Sequence, residues 1–249
     1  MGPIDATTPM RSDDFDRARQ ETIRYHEEFY ATSSVGQAGT WLAQPHPMLF
    51  DALRRLPQGS AITAYDLGAG IGRHTLPMLR RLPTGSDVYA VDLLQSALDR
   101  ISKASTSGNG CVLHTVQADL AEFAFPAPAD LVIVFSAIEH LPGKEPIRVL
   151  LKRIREAIKP GAVVAVGIVA DRFEVGSDGR RRPALLESGL SVVETHELLA
   201  EVFRGLEIDY LRTDRSQVEE RRDGERYTLH SKLVTFLARQ PIQVDPRGT

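Results

Sequence analysis

The stretch AITAYDLGAGIGRHT, residues 61–75, is an apolar run that ends in Asp66, passes through Gly68, Gly70 and Gly72, and opens a helix at Thr75. Glycines in such a turn allow positive φ and bring backbone N–H groups close to a ligand. A dinucleotide fingerprint needs G-x-G-x-x-G, and Arg73 stands where its third glycine would be. The carboxylate of Asp66 at the strand end would repel a pyrophosphate and hold a ligand ammonium. An apolar strand feeding a glycine turn and then a helix is the opening unit of an open α/β sheet.

The pattern continues outward. Twenty residues beyond Gly72 a second strand ends in Asp92, placed to accept both hydroxyls of a ribose. After the third strand, Asp119 is placed to accept from an adenine exocyclic amine. Three acids at successive strand ends face one crevice, the switch region where such sheets bind ligands. An adenosine with an amino-acid-like tail satisfies all three. Strands are predicted at Ile62–Leu67, Val88–Asp92, Val112–Val116, Leu131–Phe135 and Val163–Val169, with helices at Thr75–Arg81, Gln95–Lys103 and Glu145–Ile158. Leu206–Leu211 and Tyr227–Ala238 read as strands around the Asp223-Gly224 turn, so one of the pair runs against the parallel core. Upstream, Asp13 to about Ala31 reads as an amphipathic helix, and MLFDALRRL as a second that stops at Pro57. This gives a helical cap over 1–60, a core over 61–240 with an exposed lid loop near 171–190, and a flexible tail over 241–249.

The family is carried by DLGAGIGR at 66–73, VYAVDLL at 88–94, VQADL at 116–120, ADLVIVFSAIEHL at 129–141 and LLKRIREAIKPGAVVAV at 150–166. This order of motifs resembles the class I S-adenosylmethionine-dependent methyltransferases, and GERYTLHSKLVTFLARQ at 224–240 with the cap is similar to their tellurite-resistance-type branch. The resemblance implies an α/β, Rossmann-like fold: a seven-stranded sheet, mostly parallel with one antiparallel strand, and helices on both faces. It implies S-adenosyl-L-methionine as cofactor, with Asp66 and Gly68 holding the methionine part and Gly70 and Arg73 among the other cofactor contacts. Asp92 and Leu93 would hold the ribose, Asp119 and Leu120 would border adenine, and Phe135 and Ser136 would floor the methyl group.

Methyl transfer from a sulfonium is an in-line displacement, for which the protein supplies alignment and exclusion of water. Where the acceptor must lose a proton, histidine suits that role. His140, after the fourth strand, is the first candidate and His46, between two prolines in the cap, the second. Tyr25, Tyr30, Trp41, Glu139 and Arg172 are candidate substrate contacts.

Composition narrows the rest. The 249 residues carry 30 basic and 33 acidic side chains, a net charge of −3, which offers no field to hold a nucleic acid. The longest apolar run, Gly161 to Ala170, is too short to cross a membrane, where about 20 residues are needed. The opening residues show no secretory pattern, and the single cysteine, Cys111, makes neither a disulfide nor a metal cage, so a cytoplasmic protein without a metal is expected. The expected partner is a small-molecule substrate, for a monomer or homodimer. A non-catalytic cofactor-binding module and a NAD-dependent oxidoreductase on a similar sheet stay open as alternatives.

Overall fold

The computed structural model describes residues 12–57, 59–105, 109–184, 187–222 and 224–242. Helices α1 (Ser12–Thr32) and α2 (Pro47–Leu53) come first. Then follow β1 (Thr63–Leu67), α3 (Thr75–Arg81), β2 (Asp87–Asp92), α4 (Gln95–Ala104), β3 (Val112–Gln117), β4 (Ala129–Phe135), α5 (Lys144–Ala157), β5 (Ile158–Gly176), β6 (Arg181–Pro183), α6 (Val192–Val202), β7 (Glu207–Arg222) and β8 (Glu225–Arg239). The main sheet has the order β3-β2-β1-β4-β5-β8-β7, with β6 paired beside β5. β1 pairs in parallel with both β2 and β4, so the order reverses there and opens a crevice at the strands' carboxyl ends. β8 is antiparallel to both β5 and β7, and it is the strand that runs against the core.

Alternation builds both faces. In β4, Val132 and Val134 pack with Leu150, Leu151 and Ile154 of α5 and Leu199 of α6. Leu131 and Ile133 face the other way, onto Met48 and Leu49 of α2, Met78 of α3 and Leu98 of α4. Each such side chain taken from water contributes roughly 1.5–3 kcal/mol. α5 buries Ile147, Leu150, Leu151 and Ile154, the i, i+3, i+4, i+7 stripe of an amphipathic helix.

The segment near 171–190, expected as a loop, is strand over 171–176 and 181–183. β5 runs on to Gly176, pairs with β8 from Phe173↔His230 to Gly176↔Tyr227, and turns back into β6. The glycines that suggested a loop make a tight reversal: Gly176 donates to the carbonyl of Arg180, and Gly179 sits at φ 73°. The Arg180–Arg182 run is tied to this hairpin. Arg181 lies 3.8 Å over the Phe173 ring, and Arg182 pairs with Asp178 at 3.0 Å. β7 and β8 extend with β5 beyond the core as a twisted tongue, each longer than its apolar stretch predicted. The turn residue Asp223 and residues 1–11 and 243–249 of the expected cap and tail lie outside the described residues.

A bulge interrupts β5 between Ala170 and Phe173, where Asp171 has φ 50°. The carboxylate of Asp171 accepts from the Val192 N–H and pairs with Lys232 at 3.0 Å, which holds the kink and swings Arg172 toward the crevice. Ser136, just past β4, is the other non-glycine residue with positive φ among those described. Strained backbone thus flanks the crevice on both sides.

Candidate active site

The glycine turn shows why its sequence is constrained. Gly68 has φ 74°, and a Cβ there would lie 2.3 Å from the Ala137 Cβ. Its N–H and that of Ala69 both donate to the Val91 carbonyl, at 2.8 and 3.0 Å, which clamps the turn to the end of β2. Asp92 then accepts from Gly70 N at 2.7 Å and Leu94 N at 2.9 Å. Burial raises the Asp92 carboxyl above its usual range, against the pull of these N–H groups. Asp66 is 1% exposed and accepts from the Thr75 hydroxyl at 2.6 Å. Burial pushes it up to about 6. It lies beneath the turn and lines neither of the two cavities described next, unlike the cofactor-facing position expected for it.

The smaller cavity, about 120 Å³, is walled by Leu93, Leu94, Ala118 and Leu120, with Asp92 and Asp119 on its rim and Arg19, Thr22 and His26 of α1 above. Two carboxylates set among apolar walls suit a ribose and a planar base, so these residues fit an adenosyl cofactor. Asp119 is not free for an adenine amine alone: its Oδ2 is 2.6 Å from Arg19, and its Oδ1 accepts from Ala121 N. The larger cavity, about 620 Å³, includes every substrate contact expected from sequence, Tyr25, Tyr30, Trp41, Glu139 and Arg172, and also Gly70, Arg73 and Phe135. The tongue forms its far wall through Glu174, Ser216, Tyr227 and Ser231. Gly68, Ser136, His140, Thr22, His26 and Tyr30 line both, so the cavities meet at the end of β4.

Phe135 is wedged at this junction. Its ring lies so close to Gly167 that a Cβ there would sit 2.3 Å away, and it packs 4.5 Å from the His46 ring. His46 serves the fold. Its Nδ1 accepts from Met48 N at 3.2 Å, capping α2, and its own N–H donates to His74 Nε2 at 3.3 Å. Burial lowers both imidazoles, His74 to about 3. Arg73 donates to the Gln44 carbonyl at 2.7 Å and lies over the Trp41 and Phe135 rings, against the larger cavity rather than the smaller one.

Glu139 is 1% exposed. Its Oε1 accepts from Val169 N at 3.3 Å and lies 3.3 Å from Arg172, while its Oε2 and the Arg172 Nε have no hydrogen-bond partner among the described residues. His140 Nδ1 lies 3.0 Å from Oε2 of Glu187, whose side chain is 1% exposed. Sequence reasoning missed Glu187, which sits in ALLESGLS with no motif around it. It also missed Arg19, Thr22 and His26. Their signal was available, since 19, 22, 23, 26 and 30 form one helical stripe on α1.

Residues 64–161 match the family model of a methyltransferase domain. No curated protein matches the chain significantly. TehB from Haemophilus influenzae superposes with a TM-score of 0.62 at 17% identity, covering 86% of this chain and 67% of that one. The N-methyltransferase NodS from Bradyrhizobium japonicum WM9, solved with S-adenosyl-L-homocysteine, gives 0.53 at 13%, covering 88% and 98%. A structure described under conversion of a disulfide bond into a thioacetal group during echinomycin biosynthesis gives 0.54 at 22%, covering 90% and 94%. Residues 64–161 of the chain are thus a methyltransferase domain, and the fold around them is one it shares with these solved structures.

Proposed function

We propose that this enzyme methylates an O, N or S atom of a small-molecule acceptor held in the larger cavity, in the cytoplasm and without nucleic acid as substrate. The observation that carries the reading is the junction at Gly68, Ser136 and His140, where the cavity rimmed by Asp92 and Asp119 opens into a larger, partly aromatic one. Bound S-adenosylmethionine supplies a sulfonium methyl whose carbon–sulfur bond breaks as the acceptor atom bonds to carbon, the bonding pair staying on sulfur. Asp92 would hold the ribose, Leu93 and Leu120 the base, and Gly68 and Ser136 the path between the cavities. Tyr25, Tyr30 and Trp41 would exclude water around the acceptor, and Glu139 and Arg172, which line the same cavity, would orient its polar groups. His140, not the capping His46, would take the acceptor's proton. The likeness to a structure described under echinomycin biosynthesis supports a small-molecule substrate.

Two measurements test this. Calorimetry with S-adenosylhomocysteine should show binding that Asp92→Ala weakens by about 1.5–3 kcal/mol, the range for a lost charge-assisted hydrogen bond. Incubation with methyl-labelled cofactor and a fractionated cell extract should place label in the small-molecule fraction. Label confined to protein or RNA would refute the substrate class, and no label anywhere would favour a binding module.

A further inference from the structure

Glu187 lies between β6 and α6, 47 residues from His140, and the fold brings its carboxylate to an imidazole that lines both cavities at the end of β4. We infer that Glu187 is a positioning residue that fixes the His140 ring and tautomer so that Nε2 presents its lone pair to the acceptor, and that the acceptor is therefore a protic group: a hydroxyl, an amine or a thiol. The inference rests on the reading of His140 as the group facing the acceptor.

The argument is stereochemical. An ionised carboxylate only accepts, so a histidine nitrogen 3.0 Å from it must carry the hydrogen. With Nδ1 protonated, the neutral ring has its basic pair on Nε2, the opposite edge. The Glu187 side chain is 1% exposed. Burial pushes its carboxyl up, but the hydrogen bond from His140, the attraction to that ring when it is protonated, the Thr22 hydroxyl and the Arg172 guanidinium together turn the net direction down. His26 packs edge-on against the His140 ring at 5.8 Å and donates from Nδ1 to the Thr22 carbonyl, so it steers the ring by contact without contesting the Nδ1 hydrogen bond.

Nucleophile, base and orienting carboxylate form a chain of the kind that activates weak nucleophiles. The acceptor's X–H bond breaks, its proton goes to Nε2, and its electron pair remains on X for bond formation. The imidazolium that results is balanced by the Glu187 carboxylate and returns its proton to water after product leaves. An acceptor with no proton to lose, such as a thioether or a tertiary amine, has no use for this arrangement.

The test reads the ring itself. Protein labelled with 15N in its histidine rings is saturated with S-adenosylhomocysteine, and the His140 signals are assigned by their loss in His140→Gln. The expected wild-type spectrum has a pyrrole-like Nδ1 and a pyridine-like Nε2. In Glu187→Met, of similar size but without an acceptor, the Nδ1 signal should move toward the pyridine-like range. A wild-type ring protonated on Nε2, or one averaged between tautomers, overturns the inference even if the Met variant fails to fold. So does an unchanged spectrum in a folded Met variant. If calorimetry detects no S-adenosylhomocysteine binding, the functional reading fails instead, and the two failures are separately visible.

Discussion

Arg19 on α1 and Asp119 beyond β3 are 100 residues apart in the chain, yet their side chains meet at 2.6 Å across the rim of the smaller cavity. Both are partly exposed, at 22% and 33%, so the pair is worth about 0.2–1 kcal/mol and is screened by salt. Its position matters more than its strength, because it ties the roof helix to the cofactor floor. Arg19→Ala should speed release of S-adenosylhomocysteine by several-fold at most in stopped-flow measurements. Added salt should speed release from the wild type more than from the variant. Equal off-rates would show that α1 is held by its other contacts.

Asp66 makes neutral pH costly to the fold. Its carboxyl is pushed up to about 6, mainly by burial, from an ordinary value of 3.8. In that window the folded state binds a proton that the unfolded chain does not, so stability falls as pH rises from about 4 to 6 and stays lower above. The difference is on the order of 3 kcal/mol at most. Asp66→Asn keeps an acceptor for the Thr75 hydroxyl and removes the charge. Thermal melts should show its advantage over the wild type growing from near zero at pH 4 to a plateau above pH 6. A difference that ignores pH would mean that Asp66 is not the titrating group.

Tyr30 and Gly70 are coupled sterically. A Cβ at Gly70 would lie 2.6 Å from the Tyr30 hydroxyl and 3.1 Å from its Cζ, at φ 52°. Gly70→Ala should therefore destabilise the protein through both the left-handed backbone, about 1–2 kcal/mol, and the collision with Tyr30. Adding Tyr30→Phe should recover the collision part alone. A double-mutant cycle by denaturant unfolding should thus be non-additive, and strict additivity would show that Tyr30 swings clear.

His46 caps α2, and its loss should read as stability. His46→Ala should cost about 0.5–2 kcal/mol, the range for deleting an N-cap acceptor, and His46→Asn should restore most of it. Unfolding midpoints of the three proteins check this. A full loss in the Asn variant would show that the ring's packing on Phe135, rather than its hydrogen bond, holds the segment.

Local chemistry made most of the core readable. The turn at 66–73 can be built only with glycines where φ is positive and Ala137 presses in, and the strand-end acids follow by simple periodicity. The alternation in β4 and the stripe on α5 are likewise written in nearest-neighbour spacing. Where the linear reading went astray, the deciding force came from a distant strand. Residues 171–176 carry a bend and glycines that look like a loop, and they become strand because β8 offers twelve paired positions to β5.

The amino-acid order alone determined the doubly wound sheet and the crevice at its switch point, because these depend on residues close together in the chain. Tertiary structure alone decided which groups meet in that crevice: Arg19 with Asp119, Arg172 with Glu139, Glu187 with His140. The reason is physical. A buried carboxylate gains its partner only when separate segments are packed together and water is shut out, and no local pattern encodes a contact that closes across 47 or 100 residues.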